Sequence, residues 1–228
     1  MSIAENLTRI RASLPPSVRL IAVSKTRPAE VVKEALLAGQ VDFGENYAQE
    51  LRDKADLVPG ARWHFIGALQ RNKVKYVVGR ADLVHDVDSI ELAEELGKRS
   101  GARRTGVLVG VNFGEAQKSG VSASAALELC RCIQNIAGVE LRGLMCIPPP
   151  SDDPEAAAPY FAELADLAAR GRADGLPLAE LSMGMSHDWQ VAVRHGATMI
   201  RVGTAIFGAR PAKEGAAGTP PEPDTPTS

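Results

Sequence analysis

Between Arg19 and Gly208 the chain alternates a short β-type run with a helical run eight times, and no other feature narrows the fold as far. The β-type runs fall at 19–24, 41–45, 62–66, 83–87, 105–112, 139–147, 178–183 and 198–202. Helical runs follow at 28–40, 47–58, 70–79, 90–100, from Ser122 or Ser124 to 136, at 154–172 and at 188–195. Local punctuation agrees. Pro28 opens the first of these helices and Gly39 closes it, and Ser89 stands at a cap position ahead of first-turn glutamates. Eight units of about 25 residues make a single (β/α)8 barrel, an α/β fold. A doubly wound open sheet usually has fewer units, and no Gly-x-Gly-x-x-Gly follows the first strand.

Ile3, Leu7, Ile10 and Leu14 recur at helical spacing, so an extra N-terminal helix is expected over the bottom of the barrel. Residues 212–228 hold four prolines and almost no bulky apolar side chain, which predicts a disordered tail. Residues 1–211 are then one domain, and no residues are left for a second.

The 26 basic and 28 acidic side chains nearly cancel, leaving a net charge of −2. That balance excludes a generally basic nucleic-acid-binding surface. No stretch approaches ~18 consecutive apolar residues, so no membrane span is expected. The first residues, Met1-Ser2-Ile3-Ala4-Glu5, lack a basic region ahead of an apolar core, so no secretory signal is expected either. Cys130, Cys132 and Cys146 are odd in number and lack metal-ligand spacing. Buried thiols in a reducing compartment fit them, and the expected location is cytoplasmic.

In a (β/α)8 barrel the chemistry sits at the C-terminal ends of the strands. Lys25 ends the first strand, and alternation puts it on the interior side with Ile21 and Val23. A lysine there loses hydration, its pKa falls, and its amine can attack a carbonyl to form a Schiff base. The alternative is structural: the stem packs in the barrel mouth while the ammonium reaches water. Gly184-Met185-Ser186 follows the seventh strand and Gly203-Thr204-Ala205 the eighth. Loops at these two positions commonly bind phosphate in barrels. Gly203 would let an anion approach the backbone, and Ser186 and Thr204 would each add a hydroxyl donor. Gly203 also fits a plain turn, and Ser186 the N-cap of the next helix, a role compatible with holding phosphate. Arg201 shares the interior face with Gly203, and a buried arginine needs an acceptor. Closure of the barrel sets the eighth strand beside the first, hence Arg201 beside Lys25. A carbonyl-reactive lysine, a phosphate cradle and a cation between them describe a pocket for pyridoxal 5'-phosphate.

Several stretches carry a resemblance. They are Ala22-Val23-Ser24-Lys25-Thr26, Phe43-Gly44-Glu45-Asn46-Tyr47, Trp63-His64-Phe65-Ile66-Gly67, Lys118-Ser119-Gly120 and Leu141-Arg142-Gly143-Leu144-Met145. Two more are Leu181-Ser182-Met183-Gly184-Met185-Ser186 and Ile200-Arg201-Val202-Gly203-Thr204-Ala205-Ile206-Phe207-Gly208. In combination they resemble the YggS/PROSC family of pyridoxal-phosphate-binding proteins, which act in homeostasis of that cofactor. The resemblance implies that Lys25 carries the cofactor as a Schiff base and that Arg201 faces the pyridine nitrogen. It implies that Ser186, Gly203 and Thr204 hold the phosphate and that Asn46 lies beside the cofactor. It also implies a fold similar to the N-terminal barrel of alanine racemase, without the C-terminal β domain that follows it in that enzyme. Ala68 stands where many relatives have proline, and the seventh helix starts His187-Asp188-Trp189; neither departure falls on an implied contact.

Other signals point nowhere. Asp42-Phe43-Gly44 imitates a kinase metal motif without its companion loops. His64, His85, His187 and His195 lack ligand spacing, so no metal site is expected, and His64, inside a strand, reads as a satisfied core histidine. Lys118 reads as a solvated loop lysine, and Arg71, Lys73 and Lys75 as a solvated helix face. An arginine at the ring nitrogen cannot share a proton as the carboxylate of many pyridoxal-phosphate enzymes does, its pKa lying above about 12. The expected function is therefore an intracellular carrier or buffer of the cofactor without robust catalysis. No residue is assigned as catalytic. The chain is expected to be a monomer that delivers pyridoxal phosphate to apoenzymes dependent on it. Two alternatives stay open: an amino-acid racemase whose second base comes from a neighbouring subunit, and a cofactor-free Schiff-base aldolase.

Overall fold

The computed structural model describes residues 1–115 and 119–209, so Lys118 and the 212–228 stretch lie outside the described residues. The strands are β1 (Arg19–Val23), β2 (Asp42–Glu45), β3 (Arg62–Phe65), β4 (Ala81–Val87), β5 (Thr105–Asn112), β6 (Val121–Ser122), β7 (Val139–Cys146), β8 (Glu180–Ser182) and β9 (Met199–Val202). All neighbours pair in parallel in the order β4-β3-β2-β1-β9-β8-β7-β5, and β4 with β5 closes the ring. That is the eight-stranded barrel the alternation predicts. The two-residue β6, unforeseen, pairs with the C-terminal end of β5 outside the ring.

The helices are α1 (Ile3–Ala12), α2 (Ala29–Leu37), α3 (Ala48–Leu57), α4 (Val74–Val77), α5 (Ile90–Arg99), α6 (Ala123–Ile133), α7 (Ala158–Ala173), α8 (Trp189–Arg194) and α9 (Thr204–Phe207). The third crossover is shorter than expected: a 3-10 turn over Arg71–Lys73 leads into the single turn of α4.

Alternation along each strand sorts two cores. Leu20, Ala22, Ile200 and Val202 face the helices and join the main apolar core. Ile21, Leu83, Leu108, Met145 and Met199 form a separate small cluster that fills the barrel itself. The interior also holds buried polar side chains: His64, His85, Ser182 and Arg201.

The N-terminal helix is where expectation and structure differ. Asn6 Nδ2 donates to the Ile206 carbonyl (2.9 Å) just past the C-terminal end of β9, while Arg11 reaches Ala38 O (3.1 Å) and Gln40 Oε1 (2.9 Å) beyond α2. α1 therefore runs down the side of the barrel between α2 and α9 and does not cover its bottom. With α9 only four residues long, α1 supplies the outer-ring helix that would otherwise follow the last strand. Leu7 and Ile10, its apolar stripe, are buried there.

Candidate functional site

β1 and β9 pair with Ile21 opposite Arg201, which sets the end of β1 beside the end of β9. Above them opens a cavity of about 320 Å³, and Lys25, Asn46, Ser186, Arg201, Gly203 and Thr204 all line it. The six residues singled out from the sequence thus share one pocket. Arg27, Met185, His187, Ile66 and Ile147 line it too.

Lys25 sits in a turn whose next residue is in an unusual conformation. Thr26 has φ of 64°, in the left-handed region, and it is the non-glycine residue with positive φ among the described residues. For a β-branched side chain that conformation costs roughly 1–3 kcal/mol and persists only when the surroundings impose it. Here they do. The Thr26 amide donates to Glu50 Oε2 (2.8 Å), and the Ser24 hydroxyl donates to Glu45 Oε1 (2.6 Å). Lys54 Nζ joins the two, donating to Glu45 Oε1 (2.8 Å), Glu50 Oε2 (2.8 Å) and the Ser24 carbonyl (2.9 Å). Both neighbours of Lys25 are therefore fastened to one buried cluster on α3 and β2. Burial pushes the Glu45 carboxyl up to about 7, although Lys54 and Ser24 pull it down. Burial also acts on the less enclosed Glu50, but bonds from Lys54 and the Thr26 amide outweigh it and leave its pKa below the ordinary value.

Asn46 is placed by Gly67, where a Cβ would collide with the Asn46 backbone. Its side-chain Oδ1 is buried and has no hydrogen-bond partner among the described residues. At the other end of the pocket Gly203 has φ of −118°, so it is no left-handed turn. A Cβ there would stand 3.2 Å from Val23 O, and close packing against β1 is what asks for glycine. Its amide donates to Ser186 Oγ (3.2 Å), so this N–H is already engaged, while the hydroxyl-bearing Ser186 and Thr204 line the pocket beside it. Asp188, not Ser186, is the residue before α8, and its carboxylate accepts from the Met185 amide (2.6 Å).

Arg201 is 4 % exposed. Nη1 donates to Ser182 Oγ (2.6 Å) and Nη2 to the Cys146 carbonyl (2.9 Å). Among the described residues no carboxylate lies within ion-pair distance of it. A buried guanidinium with neutral partners alone has donors and charge to spare for a ligand. Burial lowers its pKa, while the nearby Cys146, Asp188 and Asp86 raise it.

An aldehyde-bearing phosphate ester with a ring acceptor fits this set on one cavity: an amine at Lys25, the hydroxyls of Ser186 and Thr204, the buried Arg201 cation and the unpartnered Oδ1 of Asn46. Arg27 is absent from the strand-end pattern because it lies past the turn; its guanidinium donates to Gly208 O (2.6 Å) and Ala209 O (2.8 Å) at the pocket rim. Lys54 carries a readable signal, since it falls on the buried stripe of α3 with Ala48 and Leu51. A lysine inside an apolar stripe calls for a buried partner.

Residues 1–211 match the family described as the alanine racemase N-terminal domain. A pyridoxal phosphate homeostasis protein of Vibrio alginolyticus is 44 % identical over 205 residues, covering 86 % of this chain and 88 % of that one. The structure of PipY from Synechococcus elongatus PCC7942, solved with PLP bound, superimposes with a TM-score of 0.85 at 41 % identity, covering 91 % of this chain and 100 % of that one. Alanine racemase from Corynebacterium glutamicum shares the fold at 18 % identity, with a TM-score of 0.74 over 95 % of this chain and 63 % of its own.

Proposed function

Since the chain belongs to the alanine racemase N-terminal domain family, we propose that its pocket binds pyridoxal 5'-phosphate and that the protein serves in homeostasis of this cofactor as a carrier. The observation that carries the reading is Arg201, a buried cation with no carboxylate at ion-pair distance among the described residues, opening into the same cavity as Lys25. The bound cofactor would supply an aldehyde for a lysine amine and, in enzymes, an electron sink. Lys25 would hold it covalently. Ser186 and Thr204 would donate to its phosphate, Gly203 would leave room for it, and Asn46 would satisfy its unspent amide group against the ring substituents. Arg201 would donate to the ring nitrogen.

Arg201 also argues for carriage over turnover. A guanidinium holds its proton, so it cannot keep the ring nitrogen protonated in the way a carboxylate can. The proposed setting is a monomer in the cytoplasm that releases its cofactor to apoenzymes. Reduction with borohydride followed by peptide mapping tests the reading: the pyridoxyl label is expected on Lys25 and is lost in Lys25→Ala. A label on Lys73 or Lys118 overturns the assignment. Lys25-dependent exchange of amino-acid α-hydrogens faster than about 1 per second, a rate ordinary for enzymes, would replace the carrier by a racemase.

A further inference from the structure

A run of hydrogen bonds crosses the barrel interior from floor to mouth, and the cofactor reading uses only its last member. Arg201 Nη1 lies 2.6 Å from Ser182 Oγ, and Ser182 Oγ lies 2.8 Å from His85 Nδ1. His85 Nε2 lies 2.9 Å from His64 Nδ1, and His64 Nε2 lies 2.9 Å from Asp42 Oδ1. Five strands contribute one residue each. His64, His85 and Ser182 are wholly buried, and Asp42, at the N-terminal end of β2, is the member that reaches solvent.

Both ends of the run have fixed roles. A guanidinium has no acceptor, so Ser182 Oγ accepts at the top; an ionised carboxylate has no donor, so His64 Nε2 donates at the bottom. A neutral imidazole owns one N–H. With His64 taken as such an imidazole, its N–H goes to Asp42 and its Nδ1 accepts from His85 Nε2–H. His85 Nδ1 then accepts, and the Ser182 hydroxyl supplies that hydrogen. Every bond points from Arg201 toward Asp42, and no donor faces a donor. The charged groups around the run are Asp42 and Arg62 at the floor, Arg19 on β1, and Asp86 and Arg201 toward the mouth. Burial above all holds His85 well below the usual imidazole range, so it is neutral. Burial alone would raise Asp42, but the bond from His64 and the charges of Arg62 and Arg19 keep it below the usual carboxylate value.

We propose that Asp42, His64, His85 and Ser182 form a one-way hydrogen-bond chain that positions the Arg201 guanidinium at the cofactor, so that a group in the pocket is oriented from the far end of the barrel. The proposal rests on Arg201 facing the cofactor. The four are positioning residues. Without an acceptor at residue 42, His64 would carry its hydrogen on Nδ1 and the chain would reverse. His85 Nδ1–H would then donate to Ser182 Oγ and compete with Arg201 for its lone pairs.

Asp42→Leu removes the acceptor and Asp42→Asn keeps one, and neither residue lines the pocket. Nitrogen-15 spectra of the histidines in the full chain, before and after adding pyridoxal phosphate, read the tautomers. Wild type and Asp42→Asn should show Nε2–H at both His64 and His85. Asp42→Leu should show Nδ1–H at both and bind pyridoxal phosphate about tenfold more weakly, the scale of one hydrogen bond to a charged group. Nδ1–H in the wild type, unchanged tautomers in Asp42→Leu, or reversed tautomers with unchanged affinity would each overturn the proposal. Failure of the wild type to bind pyridoxal phosphate would overturn the cofactor reading instead, and spectra of the ligand-free chain would still decide whether the hydrogen-bond chain exists.

Discussion

Lys54 and His85 are both buried polar hubs serving one pocket, but they stand on opposite sides of the barrel wall. Lys54 lies outside the wall, between β2 and α3, and holds two carboxylates and a carbonyl that fasten the turn around Lys25. His85 lies inside the wall, a neutral imidazole between His64 and Ser182. The Lys25 end of the pocket is thus set by charge and the Arg201 end by hydrogen bonds through uncharged side chains. Charges taken out of water stabilise a fold only while every partner is present and ionised. A neutral chain asks only that each donor meet an acceptor. The two should answer differently to mutation and to pH.

The largest difference should come from breaking the charged hub. Lys54→Met leaves Glu45 buried beside an apolar chain, and chemical denaturation at pH 8 should show a loss of about 3–5 kcal/mol. Adding Glu45→Leu to it should recover most of that loss. A double variant no more stable than the single one would mean that packing, not charge, sets the cost.

Next in size is the pH response. The Glu45 pKa is raised in the fold to about 7 from an ordinary value of 4.5. The folded chain therefore holds a proton that the unfolded chain has lost between those values, and stability falls as pH rises through that window. The decline should be at most about 3 kcal/mol between pH 4.5 and 8. Asp86 is also raised, chiefly by burial, and tilts the curve the same way. What identifies Glu45 is the flatter curve of Glu45→Gln. Parallel curves for the two proteins would place the titration elsewhere.

His85→Leu unpairs His64 and Ser182 inside the barrel, and a loss of about 1–3 kcal/mol is expected. Because His85 stays neutral in the fold but takes a proton in the unfolded chain below about its ordinary 6.5, wild-type stability gains as pH rises toward that value, and the variant should lack this gain. A variant curve parallel to that of the wild type would show that His85 is not held neutral inside the barrel and would erase the contrast between the two hubs.

The smallest effect tests what the charged hub holds in place. Thr26→Gly relieves the left-handed strain and should raise stability by up to about 1 kcal/mol. Cofactor affinity should fall, since the Lys25 turn would be less firmly held. A variant both more stable and equally tight in binding would show that the strain has no part in the site.

How much of this was legible depended on the kind of pattern. The eight strands announce themselves through short apolar runs alternating with helical ones, and strand parity alone places Lys25 and Arg201 on the interior side. Parity also puts Asp42, His64 and His85 inside, but it cannot show that three strands bring them to hydrogen-bonding heights; the register of β2, β3 and β4 decides that. The amide of Gly203 is a similar case. Sequence marks a glycine beside a phosphate loop, while packing against Val23 and the bond to Ser186 appear only in three dimensions. Helical spacing in α1 marks which face is buried and says nothing about which neighbour buries it.

The place of α1 has a consequence for how the chain is made. Its bond from Asn6 to Ile206 spans 200 positions, so α1 fills a gap completed only when β9 has been made. At synthesis rates of about 5–20 residues per second, Leu7 and Ile10 wait roughly 10–40 seconds for the groove they occupy. During that interval an amphipathic segment and an unfinished barrel wall are both uncovered. Synthesis is thus exposed to misassociation through α1 until β9 has emerged, and the seam between them should form only then.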